Sequence, residues 1–74
     1  MNELYYEVLT ANAMNNIGLA IQYIGNLTMT NKDDKVKLSS EVEWILLELK
    51  TACSNMEAYK NMLSAEMADK MESN

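Results

Sequence analysis

Apolar residues recur at alternating spacings of four and three on each side of a short polar break, and this limits the fold more than any other feature. The first stripe runs Tyr6, Thr10, Ala13, Ile17, Ala20, Ile24 and Leu27. The second runs Leu38, Val42, Ile45, Leu49, Ala52, Met56, Tyr59 and Leu63. A mean repeat of about 3.5 residues keeps such a stripe on one side of a helix and aims it at a neighbouring helix. The break, Thr30-Asn31-Lys32-Asp33-Asp34, is short enough to force a reversal of direction. The expected fold is all-α: an antiparallel two-helix hairpin forming a single domain. A helix is expected over about 2–29, a loop over about 30–35, a second helix over about 36–70, then a frayed tail.

Local signals support these bounds. Asn2 is a suitable N-cap, and Glu3 sits favourably in the first turn. Gly18 and Gly25 weaken the first helix by around 1 kcal/mol each relative to alanine, and Gly25-Asn26 offers an earlier stop. Ala13 and Ala20 put small side chains on the seam, which lets a second helix come close. The second helix can begin at Asp34, or at Ser40, where Glu43 three residues on completes a capping box. With the earlier start it would be roughly 45–50 Å long, and its end from about Met62 onward would overhang the first helix.

A chain of 74 residues is one small domain. A lone helix pair buries one side of each helix, and such a core seldom contributes more than about 3–5 kcal/mol. Cys53 is the only cysteine, so no disulfide can form within the chain, and with no histidine a tight transition-metal site is not expected. Self-association or a partner remains. A homodimer that completes a four-helix bundle is the expected assembly.

The net charge is −5, with eleven carboxylates against six lysines and no arginine. Direct binding to nucleic acid or to an anionic membrane surface is therefore disfavoured. The carboxylates are interleaved with Lys35, Lys37, Lys50, Lys60 and Lys70, as on a solvated helical surface; acidic mimicry of DNA is a third reading. No charge falls between Val8 and Asn31, yet Asn12, Asn15, Asn16, Gln22 and Asn26 make that stretch expensive in lipid. No basic segment precedes an apolar run at the N-terminus, so a cytoplasmic location is expected. Nine asparagines without arginine or proline suit an AT-rich coding sequence, as in many bacteria and their phages.

Apolar residues outside the seams carry the functional clue. Tyr5, Val8, Leu19 and Tyr23 form a second strip on the first helix, with Asn12, Asn16 and Asn26 between them. Trp44, Leu47, Ala58, Met62 and Ala65 do the same on the second, with Thr51 and Asn55 interspersed. A helix that is apolar on two sides has two neighbours, and one chain supplies only one. Trp and Tyr dominate interface hot spots. The candidate partner interface is Tyr5, Val8, Leu19, Tyr23, Trp44, Leu47 and Met62, with Glu3, Glu7, Glu43 and Glu48 steering a basic partner. Met56, Met62, Met67 and Met71 add an adaptable apolar surface.

Catalysis is not expected. No histidine is present for acid–base work, Glu41 and Glu48 are expected on an open helix, and there is no glycine-rich phosphate loop. No cofactor is implied. Cys53, at the seam edge beside Leu46 and Leu49, reads as a small buried hydrophobe. Asn26-Leu27-Thr28 matches a glycosylation sequon, but without a secretory signal it would not meet that machinery. In size, acidity and hairpin format the chain resembles small acidic helical proteins that phages use to block host or defence proteins. It also resembles the helical-hairpin chaperones of secretion systems. The expected function is that of a non-enzymatic protein-binding module: an inhibitor, adaptor or regulator. The alternative is a structural homodimer or chaperone-type subunit whose strips are consumed in assembly.

Overall fold

The computed structural model describes the backbone of residues 2–72 and the side chains of residues 3–71. The capping role read for the Asn2 side chain lies outside the described side chains. Two helices account for nearly all of it: α1, Asn2–Met29, and α2, Lys35–Glu72. They run antiparallel in a rod 63 × 17 × 12 Å. Helix α2 is slightly longer than expected, 38 residues against 28 for α1. The glycines do not end α1 early; Gly25 lies inside it with no positive φ.

The reversal is held by side chains whose types favour it. Asn31 Oδ1 accepts the Asp33 N–H at 2.9 Å, an Asx turn. Lys32 Nζ donates at 3.1 Å to the Leu27 carbonyl, which also accepts the Thr30 N–H at 3.2 Å, so the last turn of α1 is closed by both. Asp34 caps α2: its Oδ1 accepts the Lys37 N–H at 3.1 Å. The capping box at Ser40 and Glu43 is not used, because α2 is already under way there.

The helices meet along a seam that the stripes anticipated only at alternate rungs. Tyr6, Ala13, Ala20 and Leu27 face Leu38, Ile45, Ala52 and Tyr59, as expected, and Ala13, Ala20, Ile45 and Ala52 are among the most buried side chains. The rungs between them are displaced by one residue on both helices. Leu9, Asn16, Tyr23 and Thr30 turn inward, Ile17 and Ile24 are left exposed, and Thr10 is half-buried beside Leu9. Glu41, Glu48, Asn55 and Met62 turn inward in place of Val42, Leu49, Met56 and Leu63. Polar groups that enter the seam hold one another. Asn16 Nδ2 donates to Glu48 at 2.8 Å while its Oδ1 accepts from Asn55 at 3.2 Å. The Thr30 hydroxyl donates to the Glu41 carboxylate at 2.7 Å.

The open end of the hairpin is closed by an aromatic contact. The Tyr6 and Tyr59 rings lie 4.5 Å apart at 43°. The Tyr6 oxygen is enclosed there, with the Glu66 carboxylate beside it. That burial, with the Glu66 carboxylate, raises the phenol pKa from 10.0 to about 12. Because Met62 and Glu66 are half-buried against the start of α1, the bare overhang begins at Met67 rather than at Met62.

Candidate interaction surfaces

Displacing alternate rungs leaves two open faces, one on each side of the seam. One, the aliphatic face, carries the stripe residues that did not turn inward. Ile17, Ile24, Val42, Leu49, Met56 and Leu63 are each at least 40 % exposed. Ile21 and Leu46 extend it outward. At its centre is a shallow groove in which Ile17 faces Leu49, Ala52, Cys53 and Met56, bordered by Glu57 and Lys60. Cys53 is exposed there, so its reading as a buried hydrophobe is corrected: the side of α2 that it occupies has no neighbour within the chain.

The other, the tryptophan face, carries most of the expected partner residues. Trp44 is 55 % exposed and stands between two hollows. Tyr23, Asn26 and Glu41 line one, and Ser40, Glu43 and Leu47 line the other. Tyr5, Val8 and Leu47 are exposed, whereas Leu19, Tyr23 and Met62 are half-buried. The seven do not form one patch. Tyr23, Trp44 and Leu47 gather near the loop, while Tyr5, Val8 and Met62 lie toward the open end. Trp44 and Met62 are 18 positions apart on α2, about 27 Å.

The four expected steering carboxylates also part company. Glu43 borders the hollow beside Trp44. Glu48 is half-buried in the seam as the acceptor from Asn16, so it serves the hairpin itself. Glu3 and Glu7 are exposed near the open end, and their helical positions turn them toward the aliphatic face. Glu41 and Asn26 were missed as neighbours of Trp44. The available signal was that Glu41 precedes Trp44 by three residues, one helical turn on the same side.

Among the described residues no group of three or more histidine, cysteine or acidic side chains is placed to hold a metal ion. None of the described helices is long and apolar enough to cross a membrane. Comparison with protein-family models, with curated proteins and with solved structures finds no match to this chain.

Proposed function

We propose that this chain acts by binding another protein through its tryptophan face, as a small inhibitor, adaptor or regulator without chemistry of its own. The observation that carries this reading is Trp44: a large side chain left more than half exposed between two hollows. An exposed Trp with pockets on both sides suits an anchor for an apolar protrusion, and Tyr23 and Leu47 widen the contact. The carboxylates of Glu41 and Glu43 border those hollows, so the complementary surface carries lysine or arginine around an apolar centre.

The test uses the full chain immobilised as bait in a cell extract, beside its Trp44→Ala variant. Proteins retained by the parent should be lost by the variant, and titration of a retained protein should show affinity lower by about 2 kcal/mol or more. Equal retention by both baits, with helicity unchanged, would remove the tryptophan face from the account. The thinness of the core favours a second reading, a structural subunit whose faces are both consumed in assembly. Only Leu9, Ala13, Ala20, Ile45 and Ala52 are buried apolar residues among those described, and three of them are alanines.

A further inference from the structure

The aliphatic face is the larger open surface and holds the most regular part of the sequence. We propose that a second copy of this chain docks on it. Both loops lie at the same end and the two-fold axis runs parallel to the helices, so that α1 of each copy packs on α2 of the other.

The direction of the stripe is the first support. The expected stripe and the observed seam share alternate rungs and differ by one residue, about 100°, at the others. Their mean directions therefore differ by roughly half of that, about 50°. In a square four-helix bundle the direction to the centre lies about 45° from the direction to either adjacent helix. The apolar stripe on each helix thus points where a bundle centre would be, with the other helix of the chain on one side and an empty position on the other.

Register is the second support. Asn16 is held between Glu48 and Asn55, and Tyr6 stacks on Tyr59. This places Glu7 level with Lys60, Met14 level with Cys53, and Ile21 level with Leu46. Within one hairpin these pairs sit on opposite outer edges of the aliphatic face and do not meet. Stacking a second copy with its loop at the same end brings each pair together across the interface. Opposite charges then meet at one level and apolar side chains meet at the other two. Stacking with loops at opposite ends, centred between Ile17 and Gly18 and between Leu49 and Lys50, sets Glu7 by Thr28 and Lys60 by Ser39, which leaves neither charge an opposite.

Size is the third. At 1.5 Å per residue, α1 is about 42 Å long. With a rod width of 17 Å, the face spans roughly 700 Å² in projection, close to the ~800 Å² per partner of a standard stable interface. The tryptophan face stays open in this dimer, so the proposal stands or falls separately from the function assigned to Trp44.

The test is disulfide trapping of the full chain under mild oxidation. Met14→Cys should give a covalent dimer, with peptide mapping joining position 14 to Cys53. These positions lie on the two outer edges of one hairpin, beyond the ~7 Å Cα separation that a disulfide tolerates, so the bond can form only between copies. The parent chain and Leu46→Cys should stay uncross-linked. Cross-linking of Leu46→Cys, or of the parent through Cys53, would place the loops at opposite ends and overturn the arrangement. No cross-link in any of the three would overturn self-docking on this face. A charge swap provides a second readout: Glu7→Lys or Lys60→Glu alone should weaken the dimer about tenfold, and the two together should restore it. Equal weakening by the single and double changes would also overturn the arrangement.

Discussion

The aliphatic and tryptophan faces flank the same seam and leave side chains similarly exposed, yet they are filled differently. Ile17, Ile24, Val42, Leu49, Met56 and Leu63 give the first face a continuous strip without an amide among them. On the second, Tyr5, Trp44 and Leu47 are interleaved with Asn12, Asn26, Thr51 and Asn61. A continuous aliphatic strip has no compensation for contact with water and suits burial that accompanies folding. A face that alternates aromatic and amide groups remains hydrated when open and loses less when it is vacated. In the assembly we propose, the contrast separates a surface that completes the fold from one that is free to bind and release.

The most severe way to break this contrast is to place a charge in the aliphatic strip. Leu49→Asp should remove the dimer and, because the chain's own core is so thin, most of the helicity at low concentration. We expect a loss of about 3–5 kcal/mol, seen by circular dichroism during dilution. The same change on the other face, Leu47→Asp, should leave mass and melting nearly unaltered. Equal damage from both would abolish the distinction.

An intermediate effect belongs to the seam between the faces. Asn16→Ala removes a donor to Glu48 and an acceptor from Asn55, leaving a half-buried carboxylate less satisfied. A destabilisation of about 1–2 kcal/mol by thermal melting is expected, without loss of Trp44-dependent binding. If binding falls instead with stability unchanged, Asn16 belongs to the interface rather than to the hairpin.

The smallest effect is in alkaline solution. Tyr6 keeps its proton to about 12 in the hairpin, against an ordinary value of 10.0. The folded chain therefore holds that proton more tightly than the unfolded chain. The associated stability is complete below about pH 10 and is lost as pH rises from there through about 12. Melting should fall across this window, and Tyr6→Phe should flatten the fall. An identical decline in the variant would assign it to other groups.

The hairpin, the extent of both helices and the position of the loop were legible in the sequence because each depends on local chemistry. Apolar periodicity set the helices, and a run of five polar residues ended the first. The choice between Asp34 and Ser40 as cap was not legible, since both have suitable side chains and only the path of the chain selects one. The identity of alternate rungs was hidden for a different reason. A stripe records the average direction of apolar side chains, and when a helix has two neighbours that average points between them. Asn16, Glu41, Glu48 and Asn55 seemed to belong outside because each is polar alone. In the folded chain they enter the seam, where Asn16 is satisfied by Glu48 and Asn55, and Glu41 by Thr30. Such pairing becomes visible only once the register across the hairpin is known. Periodicity alone set Tyr5, Val8, Trp44 and Leu47 apart from the seam, but the division of the seven candidates into a group near the loop and a group near the open end required the three-dimensional register.

The central claim is that the apolar stripes serve two neighbours and that one chain supplies only one of them. Light scattering on a size-exclusion column, repeated over a dilution series, tests it most directly. The account predicts a molar mass of about twice the 8.4 kDa chain, with helicity lost as the dimer dissociates. A stable, fully helical species of 8.4 kDa at every concentration would contradict it.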